Sequence, residues 1–258
     1  MRTRSAAFGL FNLLLVLAVI AVNSLAVVLP LNGRSTGQIS DSFKALFVPA
    51  GYVFSIWGLI YLGLLGFAVY QLLPSQRSNP SIRATDGWFA LGSLANCAWI
   101  FSWHYGVYSL SLALMLVLLV SLLFLYSRQR SPKGGERNPR LATRLLVRLP
   151  FSIYLGWISV ATIANASDVL SWAGFSGLGI PDTTWVVALS VVAALLSVAL
   201  SLRHRDVGYA AVLVWALAGI LVKQSAYRPI VIGCWAAIGI IVLGVLLGVF
   251  ARPRRFSR

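Results

Sequence analysis

Negative charge is nearly missing from this chain. Its 258 residues include six Asp and Glu, and charged residues of every kind make up 10%. Soluble domains carry about 25% charged residues. The rest is apolar: 59% of the residues are hydrophobic and the mean hydropathy is +0.85. That balance excludes a water-soluble enzyme and a disordered chain, and leaves an integral helical membrane protein. Cysteine is scarce as well. Cys97 and Cys234 both lie in apolar runs, so neither a disulfide framework nor a thiolate metal site is indicated. The sequence has no HExxH, no P-loop, no paired carboxylates and no Ser/His/Asp set. No catalytic residue, metal or required cofactor is therefore expected.

What is plentiful is apolar length. A helix needs about 20 mostly apolar residues to cross the hydrocarbon core. Uncharged runs place spans at roughly 7–31, 51–73, two within 87–127, 149–167, 183–202, 207–222 and 229–251. His104-Tyr105-Gly106 is the turn inside the 41-residue uncharged run. The reading is an all-α polytopic bundle of about eight transmembrane helices. The stretch after Arg2 and Arg4 is too long for the apolar region of a signal peptide, so an uncleaved first helix is expected.

Eight spans put both termini on one side, and the basic residues choose the side. With the N-terminus inside, the outside segments carry Arg34, Lys44, Lys223 and Arg228, and the inside segments carry the other 17 of the 21 Lys and Arg. Cytoplasmic loops concentrate Lys and Arg. Both termini are thus expected in the cytoplasm, with a bacterial plasma membrane as the default location. The +15 net charge marks topology and contacts with membrane lipid, and no nucleic-acid partner is expected.

Acidic groups at mid-membrane depth would mark an ion pathway. Here Asp86 and Asp206 fall at helix ends, Asp41, Asp168 and Asp182 fall in outside loops, and Glu136 lies in the basic loop. Coupling to ions is disfavoured. His204 sits in Arg203-His204-Arg205 and belongs to the charge pattern. His104 follows Trp103 at a helix end. A lone histidine there is ordinarily solvated or a cap, and axial haem ligation is the sharper alternative. Asn165-Ala166-Ser167 is formally a glycosylation sequon.

Inside the spans the polar content is Trp, Tyr and Asn. Trp57 and Tyr61 are four apart; Asn96, Trp99 and Trp103 share one face; Tyr154, Trp157, Ala161 and Asn165 share another. An asparagine facing lipid is costly, so each face turns inward and carries its aromatics with it. Three such faces would line a cavity for a flat, largely apolar ligand. Plain interhelical packing with Asn96 as a tie is the competing reading. Gly244 and Gly248 form a GxxxG in the last span, a candidate close-packing face.

The same faces carry a resemblance. Val48-Pro49-Ala50-Gly51-Tyr52-Val53-Phe54-Ser55-Ile56-Trp57 with Tyr61, then Asn96-Cys97-Ala98-Trp99 with Gly106, then Pro150 and Trp157-Ile158-Ser159-Val160-Ala161-Thr162 with Asn165 appear in that order. They resemble the motifs of the TspO family, the tryptophan-rich sensory proteins that include the translocator protein (peripheral-type benzodiazepine receptor). Tyr52 stands where the family usually has Trp, and Ala50 replaces its second Pro. The resemblance covers about 1–166 as a five-helix transmembrane bundle. It leaves 167–258 as three additional helices and a basic tail: a cover for the pocket, a substitute for a dimer partner, or a separate role.

The resemblance implies a pocket within the five-helix bundle, closed by the loop Leu31–Pro49. It implies binding of porphyrin, haem or other tetrapyrroles, lipid, or sterol-like molecules. The protein would act as sensor, chaperone or facilitator of their movement. Carried over by position, the ligand contacts are Trp57, Asn96, Trp99, Trp157 and Ala161, with Tyr61, Trp103 and Asn165 on the same faces. The resemblance is compatible with a homodimer. The alternatives are photo-oxidative degradation of bound porphyrin, and a passive transporter of another class that uses all eight helices.

Overall fold

The computed structural model describes residues 5–29, 31–131, 134–136 and 138–250. Arg2, Arg4, Lys133, Arg137 and the basic tail 252–258, all used in the charge count, lie outside the described residues. The chain is 81% helical, with no strand among the described residues. Eight helices dominate: α1 (Ala6–Val28), α2 (Ile56–Tyr70, entered through the 3-10 turn Gly51–Ser55), α3 (Trp88–His104), α4 (Tyr108–Arg130), α5 (Leu149–Trp172), α6 (Asp182–His204), α7 (Val207–Lys223) and α8 (Arg228–Phe250). They follow the apolar runs in order. Six of these elements are long and apolar enough to cross a membrane. The other two, α3 and α7, have 17 residues each, about 26 Å of helix, the short end of the spanning range.

Local signals set the helix boundaries. Ser5 caps α1, and its side chain accepts from the Phe8 amide. Gly106, at φ +78°, supplies the left-handed turn that reverses the chain between α3 and α4. Pro150, which has no amide hydrogen, follows directly on a π turn, Arg144–Arg148, at the start of α5. The loop before α2 has its own short helix, Thr36–Asp41, started by a capping box between Ser35 and Gln38.

α5 differs from the sequence reading. A loop was expected from Ala166 on, with Asp168 in it, but the helix runs to Trp172. Ser167 and Asp168 look like loop residues by composition. The Ser167 hydroxyl bonds the Ile163 carbonyl one turn back, and Asp168 takes a bond from Ser40, so neither interrupts the helix. Asn165 is buried inside this helix at 3% exposure, so the folded protein does not present its sequon.

Packing inverts the pattern of a soluble protein. Large apolar side chains such as Leu62, Leu195, Leu243 and Leu247 lie on the outside. The buried positions include Asn12, Asn23, Asn96, Ser190 and Asp206. In hydrocarbon the apolar exterior costs nothing, and polar groups gain by pairing inside. Asn12 donates to Gln71 (3.2 Å) across α1 and α2, and Asn23 donates to Asn96 (2.7 Å) across α1 and α3. The GxxxG of α8 does pack closely: a Cβ on Gly244 would strike Val198, and one on Gly248 would strike the Ser201 carbonyl of α6.

α7 joins the last three helices to the first five. It packs along α5 and reaches the segment before α2. The Ala50 amide donates to the Gly219 carbonyl (3.1 Å), Trp215 Nε1 to the Val53 carbonyl (3.1 Å), and Gln224 Nε2 to the Leu46 carbonyl (3.0 Å). At the opposite end Asp206 is buried among three helices. It accepts from Tyr126 (2.7 Å) and Arg130 (2.7 Å) on α4, from Ser152 on α5, and from the Tyr209 amide (3.1 Å) of α7.

Candidate ligand-binding site

The three aromatic faces meet. α2 contributes Trp57, α3 contributes Trp99 and Trp103, and α5 contributes Trp157, Val160, Ala161, Ala164, Asn165 and Asp168. Together with Phe54 they surround a cavity roofed by Thr36, Ser40 and Pro49 from the loop before α2. The rings interlock. Trp57 and Trp157 meet edge to face at 6.2 Å, Phe54 and Trp157 at 5.6 Å, and Trp99 stacks along Trp103 at 6.0 Å. Edge-to-face and offset pairs are the favoured aromatic arrangements and stiffen the walls.

Six of the eight sequence-derived positions line this cavity: Trp57, Trp99, Trp103, Trp157, Ala161 and Asn165. Tyr61 and Asn96 do not. Tyr61 stacks on the far side of Trp57 at 5.6 Å. Asn96 is fully buried one layer away, accepting from Asn23 (2.7 Å) and donating to Tyr154 (3.1 Å). It ties α1, α3 and α5 together, and through Tyr154 it backs Trp57, whose ring meets Tyr154 at 5.9 Å.

Two residues of this region were placed elsewhere by the sequence. His104 is neither solvated nor exposed; it is 1% accessible. Its Nδ1 lies 3.0 Å from the Leu31 carbonyl, which fixes Nδ1 as the donor, and Nε2 then accepts from the Thr36 hydroxyl at 3.0 Å. Asn32 donates to the His104 carbonyl (3.0 Å), and Trp103 Nε1 donates to the Thr36 carbonyl (3.3 Å). The end of α3 thus clasps the roof. Both ring nitrogens are engaged, which leaves no lone pair for a haem iron. Asp168 is the second residue. It is 1% accessible, lines the cavity, and holds the roof from α5 by accepting from Ser40 (2.7 Å). An acid three residues after a cavity-facing Asn, near Trp157 and Ala161 on the same helix, is the signal that was available.

Removing the clasp has a predicted cost. A net intramolecular hydrogen bond is worth about 1 kcal/mol, and His104→Ala removes two. Amides of 31–41 are expected to exchange hydrogen about thirtyfold faster, with little change in the α4 and α5 cores. Hydrogen–deuterium exchange on the detergent-solubilised protein measures this.

The closed cavity is small. The space open to the centre of a water-sized sphere is about 40 Å³. That suits a few waters and is far below the roughly 300–1,000 Å³ of sites for drug-sized ligands. A larger ligand needs the roof to lift. A wider apolar groove of about 410 Å³ lies outside, between Ile56, Leu149, Ile153, Val207 and Trp215. It is lined by apolar side chains without an acid or an amide, so the cavity holding Asn165 and Asp168 is the candidate site.

Comparison with known proteins agrees with this geometry. A family model described as TSPO-like protein matches residues 9–247. The chain belongs to the TSPO-like family. The match runs from α1 into α8, where the motif resemblance reached only 166, so α6, α7 and most of α8 fall within the matched length. No curated protein and no solved structure matches the chain. For this TSPO-like protein, an integral membrane helical bundle is established, and the last three helices are fastened to the roof of its cavity through α7.

Proposed function

We propose that this TSPO-like protein binds a flat hydrophobic ligand in the cavity between α2, α3 and α5, as sensor, chaperone or facilitator of its movement. Tetrapyrroles and sterol-like molecules are the ligand classes the family suggests. The observation that carries the reading is the convergence of Trp57, Trp99, Trp103 and Trp157 from three helices on one roofed cavity. Four indole rings supply stacking area that packing alone would obtain from Leu or Ile, and indole is favoured where apolar surface and a polar edge must meet. The Nε1 atoms of Trp99 and Trp157 are buried and have no hydrogen-bond partner among the described residues, which leaves two unused donors on cavity-lining side chains.

The roof lies at the end of the bundle that holds Asp41 and Lys223, and the arginine-rich loops lie at the other. By the basic-residue bias, the roof faces the non-cytoplasmic side of a bacterial plasma membrane and the ligand enters from there.

Tryptophan-fluorescence quenching by protoporphyrin IX tests the reading. Wild type should quench saturably in the micromolar range. Trp157→Ala removes a cavity wall and should weaken binding at least tenfold, about 1.4 kcal/mol. Asn96→Ala should weaken it less, because Asn96 acts through Tyr154 and Trp57. Unsaturable quenching, or quenching equal in all three proteins, overturns the reading.

A further inference from the structure

Among the described residues, the cavity is lined by one acid, Asp168, and by no Lys or Arg. Asp168 Oδ2 accepts from Ser40, but Oδ1 has no hydrogen-bond partner among the described residues. The nearby cation is already engaged: Lys223 is paired with Asp41 on the roof helix. Burying a carboxylate with an unmet oxygen is costly, and such groups are normally paired. Asn165 Oδ1, one helical turn before Asp168, is a second buried acceptor without a partner among the described residues. Four tryptophans line the same cavity, and an indole face attracts cations through the ring quadrupole.

Resting on the pocket reading above, we propose that the site selects hydrophobic organic cations: an aromatic body against the tryptophans that line the cavity, with a protonated amine donating to Asp168 Oδ1. Aromatic walls bind the apolar part of any flat ligand. The acid makes the choice among charges. A cationic N–H gains a charge-assisted hydrogen bond in a site shielded from water. A neutral hydroxyl can offer this oxygen only an uncharged hydrogen bond, about half as strong, and a neutral ligand without a donor leaves it unmet. An anionic group placed at this end meets a like charge. The carboxylate side chains of a porphyrin would therefore have to point away from Asp168.

Three probes of one ring system separate these cases: naphthylethylammonium, naphthylethanol and naphthylacetate. They are titrated calorimetrically into the full-length protein in neutral detergent, with Asp168→Asn beside wild type. Wild type should bind the ammonium at least about tenfold tighter than the alcohol, with the acetate weakest. Asp168→Asn should bring the ammonium to the level of the alcohol. Equal binding of ammonium and alcohol by wild type overturns the proposal, and so does a preference that survives Asp168→Asn. The wild-type comparison stands alone if the variant does not fold. The two readings fail differently. If the alcohol binds and the ammonium gains nothing, the pocket stands and the acid is not a selector. If none of the three binds, the pocket reading itself fails and this proposal with it.

Discussion

Asp206→Ala is expected to lower the stability of the folded bundle by about 3–5 kcal/mol, the largest effect of any single polar substitution predicted here. The carboxylate is 6% exposed and accepts from Tyr126, Arg130, Ser152 and the Tyr209 amide. The Arg130 side chain is 10% exposed, and its guanidinium also lies 3.6 Å from the centroid of the Tyr126 ring. Removing the acid leaves that cation with no counter-charge and orphans three further donors. A surface ion pair would be worth at most about 1 kcal/mol; this one is shielded, so the cost is that of an uncompensated buried charge. Asp206→Asn keeps the shape and an acceptor oxygen and should fall between. Asp182→Asn, on an exposed residue, should stay within about 0.5 kcal/mol. Thermal unfolding in detergent ranks the three. Equal midpoints for Asp206→Ala and Asp182→Asn would show that the four bonds do not hold α4, α5 and α7 together.

Gly219→Val should separate α7 from the roofed segment. A Cβ at 219 would overlap Val53 Cγ2 and press on Pro49, and Pro49 lines the cavity. Neither neighbour can swing away cheaply, because Val53 is fully buried and Pro49 is rigid. Overpacking of this kind costs about 1–3 kcal/mol. Moving α7 would also stretch the bonds from Ala50 to Gly219 and from Trp215 to Val53. If the closed roof retains the ligand, release of bound protoporphyrin IX should quicken by about tenfold for every 1.4 kcal/mol of lost closure. Gly239→Val is the control, because among the described residues no heavy atom beyond its own stretch of helix lies within 4 Å of a Cβ built there. Stopped-flow release measures both. Unchanged release from Gly219→Val would mean that α7 does not hold the roof.

These two results bear on why the chain has helices beyond the first five. α7 holds the roof through Gly219, Lys223 and Gln224, and it holds the far end of α4 and α5 through Asp206.

The spans and the aromatic faces were legible in the sequence. Both rest on repeats within one helix, namely apolar length and the 3.6-residue period, and a local pattern needs no knowledge of neighbours. Trp57, Trp99, Trp103 and Trp157 could be turned inward because polar companions such as Asn96 and Asn165 on the same faces cannot face lipid. Asp168 could not be placed, because Ser167 and Asp168 resemble a loop until Ser40 arrives from 128 residues away to cap the acid. His104 was misread for the same reason: Thr36 and Leu31, its two partners, lie about 70 residues earlier. The inward turn of Asn96 followed from one helix, but whether it faces a ligand or ties helices depended on Asn23 and Tyr154.

Composition and periodicity alone therefore determined a helical membrane bundle with tryptophan-lined interior faces. Tertiary structure decided which faces share a cavity, which loop roofs it, and that an acid stands inside it. The physical reason is the range of the interactions. Partition into hydrocarbon acts on each helix separately, whereas a hydrogen bond to Asp168, His104 or Asp206 exists only after distant segments have met.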